Sequence, residues 1–171
     1  MAGSALFGLL GEMQRGGTGV DATGLDLSSL VGLSVERAGQ EIARALAPDN
    51  ADADRIAAAI QEALAEALPD VEAFDPAALT PDQIIVIMIE YLARILFQQV
   101  TEDAGSAWNK TPSGDRTVQV EGELFDLIRT CIDKHMSPRL VNGVGLLNRP
   151  EVERLQRAAM DDVWREWERY D

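Results

Sequence analysis

Thr80-Pro81-Asp82-Gln83-Ile84-Ile85-Val86-Ile87-Met88-Ile89-Glu90-Tyr91-Leu92-Ala93-Arg94-Ile95-Leu96-Phe97-Gln98-Gln99-Val100 is the stretch whose reading decides the fold. Its β-branched run has the composition of a strand, yet it is far longer than the usual five or six strand residues. It also opens with a helix start. Thr80 is placed to accept from the backbone N–H three residues on, Pro81 occupies the first helical position, where its missing N–H costs nothing, and Gln83 completes a capping box. A helix over residues 81–103 that is apolar on nearly every side must be buried on most of its circumference. The chain therefore needs other helices to surround it.

The flanking sequence supplies them. Ser34 caps a helix with the stripe Val35, Ala38, Ile42, Ala45 and Leu46, which Pro48-Asp49-Asn50 ends. Asp52 opens a second, with Ile56, Ile60, Ala63, Leu64 and Leu68 on one face and Pro69 behind it. Beyond the central helix, residues 105–117 contain Gly105, Pro112 and Gly114 and read as a surface loop. A helix over about 118–135 follows, with Leu124, Leu127, Ile128, Cys131 and Ile132 on one face and Ser137-Pro138 as its stop. The last helix starts at Asn148 and carries Val152, Leu155, Ala159, Val163, Trp167 and Tyr170. No period-two stretch competes with these. The fold expected is all-α, a single-domain bundle of about five to six helices around the central one, spanning residues 34–171. Residues 1–33 are expected to be a flexible, Gly-rich segment. Within it Leu6, Leu9, Leu10 and Met13 form a short apolar helix, which Gly8 and Gly11 weaken by about 1 kcal/mol each.

Composition removes several functions. Of 171 residues, 29 are acidic and 15 basic, a net charge of −14, so a phosphate backbone or an anionic lipid surface is repelled unless the cations cluster. Arg15, Arg37, Arg44, Arg55, Arg94, Arg116 and Arg129 are instead scattered singly among acids. Neither nucleic acid nor membrane is an expected partner. The most apolar run, residues 84–96, contains Glu90 and Arg94 and falls short of the roughly 18 residues of a spanning helix. The start lacks the basic region of a signal peptide, and one free cysteine suits a reducing compartment, so the expected location is the cytoplasm.

Chemistry-bearing motifs are sparse. One Cys and one His exclude a disulfide framework, a Cys/His metal cage and the paired Glu-x-x-His set of a bundle di-metal site. No segment has the alternating acids, central Gly and closing Glu of a calcium loop. Gly16, Gly17 and Gly19 lack the Gly-Lys-Ser/Thr of a phosphate loop, and Gly143 and Gly145 lack the third glycine of a dinucleotide fingerprint. No metal and no cofactor is expected. Cys131 and His135 are four apart and share a helix face, a spacing compatible with a nucleophile and its base. No Asn or Asp is evidently placed to orient that His, and Cys131 falls in the core stripe. A small Cys/His-dependent enzyme is thus the alternative to a non-enzymatic reading. Two apolar groups are candidates for partner binding. Leu6, Phe7 and Leu10 sit on a tethered segment that can dock in its own core or in a partner. Trp164, Trp167 and Tyr170 cluster at the C-terminus, with Trp164 off the core stripe.

One further pattern combines these elements. Gly24-Leu25-Asp26-Leu27 with Leu30-Val31-Gly32, then Ala45-Leu46-Ala47-Pro48-Asp49, Leu79 to Ile84, Tyr91 to Phe97 and Glu123 to Arg129 follow one another in an order that resembles QatB, the small subunit of bacterial Qat anti-phage systems. The similarity runs from about Gly24 to Pro138. It implies a non-enzymatic component that works beside an ATPase, a QueC-like nucleotide-chemistry enzyme and a TatD-like nuclease. The QueC-like enzyme would be the direct partner, to which the family presents an N-terminal tail for modification. A long Gly/Ser/Pro-rich tail is missing here, so no modification site is carried over onto Met1, Ala2 or Gly3. The resulting expectation is a helical adaptor or protein substrate in a defence complex, with a stand-alone homo-oligomeric scaffold as a further alternative.

Overall fold

The computed structural model describes residues 2–16, 19, 23–47, 49, 51–108, 114–141 and 148–169. Six α-helices occur among them: α1 (Ala2–Gln14), α2 (Val35–Leu46), α3 (Ala53–Ala67), α4 (Pro81–Trp108), α5 (Gly114–Leu140) and α6 (Arg149–Trp167). Short 3-10 turns at Leu27–Leu30 and Pro76–Ala78 join the early helices. Helices α2 to α6 pack largely in chain order, each on the next, and α1 lies against α4. The all-α bundle around a central helix is the observed architecture.

The start of α4 is formed as its residues dictate. The Thr80 hydroxyl accepts from the Gln83 N–H at 3.1 Å, and the Gln83 side chain accepts from the Thr80 N–H at 2.9 Å. Ile84, Ile87, Met88, Tyr91, Leu92 and Ala93 are all buried, and Tyr91's burial pushes its hydroxyl up to about 12. Ser34 and Asn148 cap α2 and α6, the latter in a full capping box with Glu151. Asp52 stands at the start of α3 without a capping bond, and its carboxylate pairs with Arg55 instead.

Several expectations are corrected. The short apolar helix expected before residue 34 is present as α1, and it is docked in the core. Leu6, Phe7, Leu9, Leu10 and Met13 are each at most 2% exposed. Burying five large apolar side chains at about 1.5–3 kcal/mol each outweighs the intrinsic cost of Gly8 and Gly11. Asp26 caps the first 3-10 turn, and the chain is then stitched to residue 74: Gly32 N–H donates to the Phe74 carbonyl at 2.9 Å, and Phe74 N–H to the Leu33 carbonyl at 2.7 Å. Gly32 adopts φ +82°, a conformation that a side chain would strain. Residues 17–18 and 20–22 lie outside the described residues.

Residues 105–108 of the expected 105–117 loop belong to α4 and residues 114–117 to α5, while 109–113 lie outside the described residues. Extending an existing helix fixes one residue per new hydrogen bond, so a single Gly weakens it without ending it. Nor does Pro138 stop α5, which runs to Leu140 with Pro138 inside it. The extra turn buries Leu140 at 1% exposure, while the proline ring faces solvent. Finally, Pro81–Asp103 is long enough to cross a membrane, and its most apolar 18-residue window, at a mean hydropathy of 1.6, is apolar enough by composition alone. In the bundle α1, α3 and α5 pack against this helix and cover just over half of that window, with Val86 left 39% exposed.

Candidate functional site

The α5–α6 seam gathers the titratable side chains singled out in the sequence. His135 Nε2 lies 2.8 Å from Asp162 Oδ2, and Lys134 Nζ lies 2.7 Å from the same oxygen. Arg165 approaches the other carboxylate oxygen at 3.4 Å. Hydrogen bonds from Lys134 and then His135 hold the Asp162 carboxyl down to about 2, and the same bond raises Lys134. The seam opens into a groove of about 460 Å³ lined by Cys131, Lys134, Asp162, Arg165, Glu166 and Arg169 among others. A group that orients His135 therefore exists, contrary to the sequence reading. Asp162 comes from the following helix, 27 residues on, which helical spacing cannot reveal.

That arrangement nevertheless works against a nucleophilic thiol. Cys131 is 5% exposed, and burial pushes its thiol up. The Asp162 carboxylate adds to that shift, and Lys134 opposes it. Reactive cysteines need the reverse, an electropositive site that favours the thiolate. The His135 Nε2 atom is engaged by Asp162 rather than by sulfur. The groove is a charge-paired seam. Among the described residues, no group of three or more His, Cys, Asp or Glu is placed to hold a metal ion.

The partner-binding candidates separate. Leu6, Phe7 and Leu10 are consumed by the molecule's own core, so they do not form an exposed anchor. Trp167 is half-buried against that core. Trp164 is 47% exposed on α6, which packs chiefly on α5. Tyr170 lies outside the described residues.

A second constellation escaped the sequence reading. Glu90 is a charged residue buried in the centre of α4, 4% exposed. One carboxylate oxygen pairs with Arg94 and the other accepts from Arg129 Nη1 at 3.0 Å. Arg94 also reaches Glu62 on α3 at 2.8 Å, and Arg129 reaches Asp126 at 2.8 Å. Both guanidinium groups lie over the Phe125 ring, at 5.2 and 5.4 Å from its centroid, and Phe97 meets that ring edge-on. The cluster ties α3, α4 and α5 together. Its sequence signal is Glu90 four residues before Arg94 in an otherwise apolar helix, because a carboxylate there must be paired.

No curated protein and no solved structure matches the chain. The match that does exist extends past both ends of the resemblance noted above, taking in α1 and most of α6. Over residues 1–166 the sequence fits the family described as Qat anti-phage system associated protein QatB, and the chain belongs to that family, a component of an anti-phage defence system.

Proposed function

We propose that the chain is a non-catalytic component of a Qat defence complex, acting as the binding partner or protein substrate of a QueC-like enzyme, with an ATPase of the same system as a further associate. The observation that carries this reading is Trp164, a large aromatic side chain left 47% exposed on the outer helix of the bundle. Tryptophan is strongly enriched among residues that dominate interface energies. A net charge of −14 complements a basic partner and speeds encounter, and apolar anchors then slow dissociation. The thiol chemistry at Cys131 supports the same reading, since its surroundings favour the inert protonated form. A reducing, cytoplasmic setting fits that free thiol.

The test is co-expression with the QueC-like protein, followed by size exclusion and intact mass on the peak. Co-elution is expected for the wild type, with Trp164→Ala weakening the complex by on the order of 30-fold, the effect of losing an anchor worth about 2 kcal/mol. A mass increment on the chain identifies it as substrate, and an unchanged mass identifies it as binding partner. Separate elution of the two folded proteins contradicts the proposal.

A further inference from the structure

The neighbours of Trp164 on α6 define the chemistry of what can cover it. Residues three and four apart on a helix share a face, so Asp161, three before the tryptophan, and Glu168, four after it, flank the indole along the helix axis. The helical hydrogen bonding persists to that point, because the Glu168 N–H donates to the Trp164 carbonyl at 3.0 Å. Asp161, Trp164 and Glu168 are all exposed.

The two carboxylates have no cation of their own. Neither the Asp161 nor the Glu168 side chain makes an ion pair or a hydrogen bond among the described residues. The arginines along this part of α6 are engaged elsewhere: Arg157 with Glu153 at 3.8 Å, Arg165 with Asp162 at 3.4 Å and Arg169 with Glu166 at 2.8 Å. Among the described residues no cation lies over the Trp164 ring either. The same fold places two guanidinium groups, those of Arg94 and Arg129, over the Phe125 ring. An indole attracts a cation more strongly than a phenyl ring does.

These features decide between two kinds of occupant. An apolar pocket closing over Trp164 would also strip water from two unpaired carboxylates, a cost that no new contact offsets. A cation satisfies the ring and both carboxylates together. Arginine suits the site better than lysine, because its planar guanidinium stacks on an aromatic face while its N–H fork reaches carboxylates beside it. We infer that Asp161, Trp164 and Glu168 form a receptor for an arginine side chain of a partner protein, with the guanidinium over the indole and its N–H groups donating to the flanking carboxylates. The inference rests on the reading that the chain acts by binding, and it names the residue type that Trp164 receives.

The test follows the indole N–H signal of Trp164 by ¹⁵N NMR on the full chain, the signal being identified by its loss in Trp164→Phe. The chain is titrated with the acetylated, amidated peptide Ala-Arg-Ala. A second titration uses the same peptide with citrulline, which keeps the side-chain shape and removes the charge. A saturable shift is expected with the arginine peptide, with the citrulline peptide roughly fivefold or more weaker. The double variant Asp161→Asn/Glu168→Gln alters only exposed carboxylates. It is expected to weaken arginine binding about threefold or more and to leave citrulline binding unchanged. No saturable shift, equal binding of the two peptides, or indifference to the Asp161→Asn/Glu168→Gln pair overturns the inference. If a Qat protein co-elutes with the chain and the arginine peptide does not bind, this inference alone fails. If none co-elutes, the proposed function fails, and the titration still decides whether the site takes arginine.

Discussion

Replacing Glu90 by Gln keeps the shape of a buried side chain and removes its charge. Glu90 is 4% exposed and is the shared partner of Arg94 and Arg129. Removing one member of a buried ion pair costs about 3–5 kcal/mol, because the remaining charge is stranded. Here the loss is smaller. Arg94 keeps Glu62 at 2.8 Å, and Arg129 keeps Asp126 and is itself 38% exposed. The expected destabilisation is therefore about 2–3 kcal/mol, which in a domain of this size lowers Tm by roughly 5–10 °C. The control is Glu62→Gln in the same cluster, whose 61% exposure limits its effect to about 1 kcal/mol or less. Both are measured by urea and thermal unfolding followed by far-UV circular dichroism. Equal effects of the two substitutions, or an unchanged Tm for Glu90→Gln, would refute the reasoning that Glu90 is the buried centre of the cluster.

Three more outcomes follow from the same structure. Phe7→Ala removes a ring that is 2% exposed from α1 and is expected to cost about 3–4 kcal/mol in urea unfolding; a cost below about 1 kcal/mol means that α1 is not docked. Asp162 has its carboxyl lowered to about 2 by Lys134 and His135, so its stabilising contribution is present above about pH 4 and is lost as pH falls towards 2. The stability gap between wild type and Asp162→Asn should accordingly shrink over that window in denaturation curves, and a gap that stays constant contradicts the pairing. Cys131 should react with iodoacetamide at neutral pH more slowly than free cysteine does, because burial raises its thiol; faster reaction revives the enzymatic alternative.

Helix identity was legible wherever local chemistry decides it. Thr80-Pro81-Asp82-Gln83 announces the start of α4, and the caps at Ser34 and Asn148 formed as their residue types require. The misreadings share one cause, which is that packing outweighed local propensity. Gly8 and Gly11 made α1 look weak, yet the faces of Leu6, Phe7 and Leu10 are covered by the bundle. Pro138 reads as a stop, but Leu140 gains a buried position two residues later. The sites were less legible because their partners are distant in sequence. Asp162 meets His135 across 27 residues, and Arg129 meets Glu90 across 39. Exposure of Trp164 was readable, since it falls off the stripe of Val163 and Trp167.

The central claim is that this QatB-family chain works by holding a partner protein. Its most direct test is titration calorimetry of the purified chain into the purified QueC-like protein of its own system. Saturable heat at a fixed stoichiometry is expected, weakened by Trp164→Ala and insensitive to Cys131→Ala. A flat titration with two folded proteins, or an interaction that requires Cys131 and not Trp164, would contradict it.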